Sequence, residues 1–309
     1  MKKITLEKIL KSRVFKIISF VLVVSYFIFV ITPFGQNFFK DAFTFLNLND
    51  NKRFSEKFDF SIEFLEAGKS DIAILRTDNK LILIDTSDKA FSESLSIKFK
   101  AEEISVIDAV FISHFDSDHA GGLIDILNNY KVKKVYLPCY YNENDHYAES
   151  IHKYLKEHSV EYEYLKAGDK ESIDFINFEI LAPVIKHKES NNNSLVFMVN
   201  AGKFSALFTG DMELKEITDI LENNKFYDCD LIKVSHHGSI NGTNEQLLNK
   251  FTPEYAVISV GRNSSGLPNS ETLKLLSENG INILRTDKQG DIIICTKTNE
   301  ETIYYKTEK

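Results

Sequence analysis

Apolar and polar positions alternate along this chain in short runs whose period switches between that of a strand and that of a helix. Val106 to Ser113 reads as a buried strand, and Leu123 to Tyr130 reads as a helix opening just past two glycines. Further apolar runs, each of strand length, are Leu195 to Asn200, Phe204 to Asp211 and Asp230 to Ser235. Helical spacing recurs near 92–103, 145–158, 213–224, 243–250 and 270–279. Strands near 60–85 and 107–137 predict one sheet, and those near 173–210, 228–260 and 282–305 predict a second. The helices then cover the outer faces. A composition with 43% hydrophobic residues and 24 Phe can fill a core between two such sheets.

One run has a different character. Ile17 to Thr32 is apolar with only small interruptions, and Val14 to Thr32 gives 19 residues if Lys16 snorkels to the interface. Lys2, Lys3, Lys8, Lys11 and Arg13 precede it against a single acid, Glu7. The positive-inside rule then places the N-terminus in the cytoplasm and the bulk of the chain outside. Ile31-Thr32-Pro33-Phe34-Gly35 offers no small-x-small cleavage site, so the run predicts an uncleaved signal anchor. The expected organisation is a basic cytoplasmic tail over 1–13, a transmembrane anchor over 14–32, a juxtamembrane stalk over 33–58 and an extracellular enzyme domain over 59–309. Three scattered cysteines (Cys139, Cys229, Cys295) give neither a disulfide framework nor a cysteine-rich metal knuckle.

Candidate chemistry concentrates where apolar runs end. His114-Phe115-Asp116-Ser117-Asp118-His119-Ala120-Gly121-Gly122 places four potential metal ligands within six residues on a strand-to-helix loop. Imidazole favours Zn and related ions, while carboxylate also accepts harder ions such as Mn. Asp211 closes one later strand, and His236 and His237 follow another, with Gly238 behind them. Four of the eight histidines lie in these two clusters, a concentration that surface histidines do not explain. Rigid strand ends carrying free loops are where α/β architectures place chemistry.

The ordered set of H-x-[H/D]-x-D-H-x-G-G, N-x-S-L-V at Asn192 to Val196, T-G-D at Thr209 to Asp211 and H-H-G-S at His236 to Ser239 resembles the metallo-β-lactamase superfamily. More narrowly it is similar to the β-lactamase-like domain of ComEC-type competence proteins, over about residues 60–305. Phe64 to Leu75 (FLEAGKSDIAIL) echoes a competence pattern of the form FLDVGQGDAILI. Leu81 to Thr86, Ala167-Gly168-Asp169 and Arg285-Thr286-Asp287 add to it. The resemblance implies a four-layer αββα sandwich with two divalent metal ions, Zn or Mn, at the edge where the sheets meet. It implies that His114 and Asp116 hold the first ion, that Asp118, His119 and His237 hold the second, and that Asp211 bridges them. His236 would then face the substrate as a catalytic group, alongside Asp118. Asn193 and Glu213 would lie in contact with substrate. Which of the two adjacent histidines ligates rests on neighbours of an extended segment pointing opposite ways.

Two departures bear on function. Asp116 stands where most of the superfamily carries His, which leaves the first ion short of imidazole; His187 is a candidate for the missing one. Leu267, in Gly266-Leu267-Pro268, stands where the competence family commonly has His, and it can neither donate nor accept a proton. Charge bears on substrate. The chain carries −8 overall, yet residues 1–58 hold ten basic and four acidic side chains, leaving 27 basic and 41 acidic on 59–309. A surface this acidic disfavours a long polyanion such as nucleic acid. Lys131, Lys133 and Lys134 form one compact basic cluster, readable as a phosphate grip or as a solvated helix end. Tyr140, Tyr141, Tyr147, Tyr154, Tyr162 and Tyr164 suit base stacking, choline recognition or core packing.

Three functions follow from these readings. The first is a membrane-anchored, cell-surface phosphodiesterase using a two-metal-activated water, also similar to teichoic-acid phosphorylcholine esterases. The second is a ComEC-like DNase at the cell surface. The third is a catalytically weak binding domain of the same fold. The implied partners are the membrane and a phosphoester substrate, and nothing in the sequence marks a protein partner.

Overall fold

The computed structural model describes residues 13–32, 35, 38, 52, 54–142, 145–223 and 228–308. The chain divides into two compact units, Met1–Asp50 and Asn51–Lys309. Within the first, helix α1 spans Arg13–Ile31. Its apolar side chains from Ile18 onward are largely exposed, among them Phe20, Leu22, Phe27 and Ile31. Among the described residues no helix is long and apolar enough to cross a membrane. The side chains of Arg13, Val14, Lys16 and Ile17 lie outside the description, so the described apolar run is shorter than the expected span over 14–32. The cytoplasmic tail and most of the stalk expected over 33–58 also lie outside the described residues.

The second unit runs β1 (Phe60–Phe64), β2 (Ala73–Arg76), β3 (Leu81–Ile84), α2 (Ser92–Ala101), β4 (Val106–Ile107), β5 (Ala109–Phe111), α3 (Ser117–Ala120), α4 (Leu123–Asn129), β6 (Lys131–Val132) and β7 (Val135–Pro138). It continues through α5 (His146–Glu157), β8 (Tyr162–Leu165), β9 (Lys170–Ile173), β10 (Ile176–Ala182), β11 (Val196–Ala201), β12 (Phe204–Phe208), α6 (Leu214–Asn223) and β13 (Leu231–Lys233). It closes with α7 (Glu245–Phe251), β14 (Tyr255–Ile258), α8 (Ser270–Glu278), β15 (Asn282–Arg285), α9 (Thr286–Gln289), β16 (Ile292–Thr296) and β17 (Tyr304–Thr307).

Two sheets carry the architecture. One has eight strands in the order β17-β16-β1-β2-β3-β5-β7-β8, and the other has seven in the order β15-β14-β13-β12-β11-β10-β9. Between them lies a core built from inward residues of both, including Phe60, Ile62, Phe64, Phe111, Phe178, Phe197 and Phe208. Phe111 stacks on Tyr136 of its own sheet and on Phe178 of the opposite one, with ring centroids 4.4 and 4.5 Å apart. Such pairs are worth about 0.5–1.5 kcal/mol beyond burial. A second cluster packs α2, α4 and α5 on the outer face of the eight-stranded sheet, where Leu95, Phe99, Leu123, Ile151 and Leu155 are buried. A third packs α6, α7 and α8 on the other sheet through Ile217, Ile220, Leu247, Phe251 and Leu276. Helix, sheet, sheet, helix is the predicted four-layer order.

Two expectations need correction. The C-terminal strands β16 and β17 were expected in the second sheet, yet β16 pairs antiparallel with β1 in the first, Ile62 opposite Ile294. Alternating residues of β16 suit either sheet equally, so the run alone does not assign its partner. The strand expected over 106–113 is broken at Asp108, whose carboxylate accepts the Leu81 backbone N–H and ion-pairs with Lys80 and Lys133. Lys134 is paired with Glu163. The basic cluster therefore sits at the start of β7, while the histidine motif follows the end of β5. It is no phosphate grip for that motif.

Candidate metal centre

β5 delivers the first motif. After Phe111 the chain leaves the sheet, and α3 turns Asp118 and His119 back toward the sheet edge. From the other sheet β12 ends at Phe208, and Thr209-Gly210 carry the chain to Asp211. Gly210 has φ +50°, and a Cβ there would lie 2.9 Å from the Cβ atoms of Ser113 and Ser194. Only glycine lets the two sheets' loops meet so closely. β13 then brings in His236 and His237, both left-handed with φ 48° and 54°. An extended segment was expected here. The turn instead sends the two rings different ways by curling, at a cost of about 1–3 kcal/mol per strained residue. His237 is fully buried, and His236 is partly exposed at the rim.

The resulting cluster is tight. Ligand atoms of Asp71, His119, Asp211 and His237 all lie within 4.8 Å of one another, and all four residues are buried. His119 Nε2 is 3.2 Å from Asp211 Oδ1 and 3.6 Å from Asp71 Oδ2. His237 Nε2 is 3.6 Å from both Asp211 Oδ2 and Asp118 Oδ2. His114 joins from one side, its ring centroid 4.2 Å from that of His119. Its Nε2 lies 3.7 Å from Asp116 Oδ2. His236 Nε2 is 3.8 Å from Asp211 Oδ2, and its Nδ1 is 3.3 Å from Glu213 Oε1.

Hydrogen bonds orient three of the imidazoles alike. His119 Nδ1 donates to Asp85 Oδ2 at 2.8 Å, and His237 Nδ1 donates to the Ser259 carbonyl at 3.0 Å. Ser113 Oγ donates to Asp85 Oδ2 at 2.8 Å, so it accepts from His114 Nδ1 at 3.1 Å. Each ring thereby turns its Nε2 into the cluster. The Nε2 atoms of His114, His119 and His237, with Oδ1 of Asp71 and of Asp211, are buried and without a hydrogen-bond partner. Unpaired buried polar atoms are costly. Five of them in one cluster, with imidazoles oriented through Nδ1, fit a donor set for divalent metal.

Electrostatics agree. Burial alone would favour the neutral forms, yet the His119 and His237 rings hold the Asp211 carboxyl well below the usual carboxylate range. Burial opposes charge on His119 too, but Asp211 and Asp85 raise its pKa well above the ordinary imidazole value. Asp118 is likewise held low against burial by its contact with His237 and the charge of His119.

The structure brings His114, Asp116, Asp118, His119, Asp211, His236, His237 and Glu213 to one place. Asn193 is placed otherwise. It is buried, its Oδ1 accepts from the His187 backbone N–H, and its Nδ2 donates to the carbonyls of His187 and Glu189. It shapes its own loop, which corrects the expectation of a substrate contact. Asn191 of that loop instead reaches His236, at 3.4 Å. His187 bonds Asp219 at 2.6 Å and supplies no imidazole to the site. Leu267 packs against the core under α7 and α8. Asp71, Asp85, Lys233 and Glu216 were missed. Asp71 ion-pairs with the buried Lys233. Glu216 is fully buried and accepts the Ser194 backbone N–H at 3.2 Å. Asp71 and Asp85 do lie inside the segments Phe64 to Leu75 and Leu81 to Thr86, but an acid beside an apolar run also describes many solvated strand ends, and Lys233 and Glu216 carry no such mark.

Comparison with known proteins gives a consistent answer. The model of the metallo-β-lactamase superfamily matches residues 65–262. The chain is 33% identical over 209 residues to ComE operon protein 3 of Bacillus subtilis, covering 66% of this chain and 26% of that protein. It is 28% identical over 231 residues to competence protein ComA of Neisseria gonorrhoeae, covering 73% of this chain and 30% of the relative. These are ComEC-type competence proteins, and the chain spans about a quarter to a third of their length. Among solved structures, the metallo-β-lactamase fold protein YhfI of B. subtilis aligns with a TM-score of 0.51 at 10% identity, over 80% of this chain and all of that one. The diiron β-hydroxylase CmlA of Streptomyces venezuelae aligns with a TM-score of 0.53 at 12% identity, over 77% of this chain and 54% of CmlA. Both likenesses concern the fold.

Proposed function

The chain belongs to the metallo-β-lactamase superfamily, and from that premise we propose that it is a membrane-anchored, metal-dependent hydrolase of phosphodiesters. One observation carries the reading: the buried, unpartnered Nε2 atoms of His114, His119 and His237 converge with the unpaired oxygens of Asp71 and Asp211. His119, His237, Asp211 and Asp118 would hold one divalent ion, and His114, Asp116 and Asp211 the other, with Zn and Mn both suited to the donor set. When bound, such ions acidify water toward neutral pH and offset charge developing on a phosphoryl oxygen.

The chain's own side chains supply the rest. Asp85 and the Ser259 carbonyl hold the imidazoles in one tautomer. Asp71 is fixed by Lys233, which offsets one of the carboxylate charges below the site. His236, at the rim and steadied by Glu213, is placed to bind or protonate a substrate oxygen. The anchor rests on the positive charge ahead of residue 14 and on the exposed apolar sheath of α1. It predicts that the full chain fractionates with membranes and resists alkaline carbonate extraction. Recovery in the soluble fraction would refute it.

A second reading, a DNase at the cell surface, is favoured by the competence-type relatives. The balance of 27 basic to 41 acidic side chains on 59–309 and the leucine at 267 weigh against it. A metal-supplemented panel separates these. It compares bis-p-nitrophenyl phosphate, p-nitrophenyl phosphorylcholine, single-stranded DNA and a β-lactam, with Asp211→Ala as the blank. Turnover of a small phosphodiester, lost in Asp211→Ala, supports the first reading. Salt-sensitive DNA cleavage lost in the same variant replaces it with the second. No metal-dependent turnover on any of them leaves a binding domain of the same fold.

A further inference from the structure

One rim side chain has no task in that reading. Lys69 lies on the loop Gly68 to Asp71, and its Nζ is 3.3 Å from Asp118 Oδ2 with the lysine side chain 39% exposed. The same carboxylate oxygen lies 3.6 Å from His237 Nε2. Asp118 is thus shared between the metal cluster and a surface cation. The site's other paired lysine, Lys233, is buried and spent on Asp71.

The loop beneath Lys69 is fixed. The Asp71 backbone N–H donates to the Asp118 carbonyl at 2.9 Å, and Ser70 Oγ donates to Asp88 Oδ2 at 3.0 Å. Gly68 packs against Gly261 so closely that a Cβ at 261 would lie 2.5 Å from the Gly68 Cα. With the backbone pinned on three sides, freedom is left to the four methylenes of the lysine. Through Asp118 the ammonium adjoins a centre that also holds the carboxylates of Asp71 and Asp211. Among the described residues, Lys69 and the buried Lys233 are the lysines ion-paired with carboxylates of the centre, and of the two only Lys69 reaches solvent. An anionic substrate entering so acidic a rim is repelled unless a cation meets it.

We propose that Lys69 is the anion-binding side chain of the site, exchanging Asp118 for a non-bridging oxygen of a substrate phosphate group. The proposal deepens the phosphoester reading and rests on it. It also gives the site a preference: an anionic phosphoester draws on Lys69, and a neutral ester or lactam does not.

The test is calorimetric titration of inorganic phosphate into the full chain loaded with Zn or Mn. Wild type is compared with Lys69→Gln, Lys69→Arg and, as a remote control, Lys274→Gln. Lys69→Gln is expected to weaken phosphate binding about tenfold, the scale of one charge-assisted hydrogen bond. Lys69→Arg retains most of it, and Lys274→Gln is unchanged. Metal content stays at the wild-type level in every variant. Lys69→Gln resists a chelator at least as well as wild type, because no ammonium then competes for Asp118. Unchanged phosphate affinity in Lys69→Gln overturns the proposal, as does loss of metal in that variant. Phosphodiester turnover measured alongside separates the two levels. Turnover that needs Asp211, with phosphate affinity indifferent to Lys69→Gln, removes the lysine's role and leaves the hydrolase. Phosphate binding that needs Lys69, without turnover, keeps the anion site and removes the hydrolase.

Discussion

The two arms of the proposed metal centre are built to different standards. On the inner arm His119, Asp211 and His237 are buried, and both rings are locked through Nδ1 by Asp85 and by the Ser259 carbonyl. On the outer arm His114 is buried but oriented only by a shared serine hydroxyl. Its companion Asp116 has a side chain 39% exposed. Preorganised ligands bind without reorganising, whereas an exposed carboxylate must be drawn out of water and ordered first. The inner arm therefore reads as the permanent site and the outer arm as the exchangeable one.

The sharpest way to break this comparison is Asp211→Ala, since both arms draw on that carboxylate. Metal analysis of Asn51–Lys309 prepared without chelator should show binding in wild type and none in the variant. Retention of metal would refute the shared-carboxylate arrangement. His114→Ala should divide the arms, losing one equivalent and keeping the other. Loss of both would mean that the arms are not independent. Asp85→Ala, which removes the direct partner of His119 and, through Ser113, the indirect one of His114, should weaken metal about 10–100-fold. Competition with a colorimetric chelator reads that shift.

Acidity sharpens the comparison further. Although burial opposes its charge, Asp211 and Asp85 hold His119 protonated well above the ordinary imidazole pKa when no ion is present. An incoming ion must displace that proton, so metal affinity rises with pH through neutrality. Titration at pH 7 in buffers of different ionisation enthalpy should show proton release, and none would refute the assignment. The sign for folding is opposite. In the metal-free domain a raised histidine pKa adds stability that is complete below about 6.5 and is lost as pH rises through the folded value. Metal-free and metal-loaded melting curves should diverge as pH increases.

The smallest expected effect concerns the support of the inner arm. Glu216 accepts the Ser194 N–H, and Ser194 Oγ accepts the Asp211 N–H at 3.2 Å. Burial, with the neighbouring charge of Asp219 adding to it and the Ser194 N–H opposing, raises the Glu216 pKa well above its ordinary value. Glu216→Gln should melt close to wild type. Glu216→Ala should lose about 1–3 kcal/mol by stranding a buried donor. Equal losses in the two would show that the carboxyl group itself, and neither shape nor an acceptor for Ser194, matters there.

Most of the framework was readable from periodicity, because one-sided burial leaves its mark on every strand and helix. The predicted helix over 145–158 is observed as His146–Glu157, and that over 270–279 as Ser270–Glu278. Strand partnership was not readable: β16 crosses to β1 for reasons of tertiary closure that its own residues do not encode. In the site, the histidines and Asp211 stood out because such residues rarely end apolar runs together. Asp71 and Lys233 did not, since a buried ion pair 162 residues apart has no local pattern. Asn193 misled because the same amide that can hold a substrate can also fold a loop.

The position of the site on the seam between two sheets has a consequence during synthesis. His114, Asp116, Asp118 and His119 leave the ribosome about a hundred residues before Asp211 and His237. A nascent chain thus exposes only half of the cluster, and the donor set is complete once the second sheet docks. Under the proposed reading, metal capture would report that both sheets have come together.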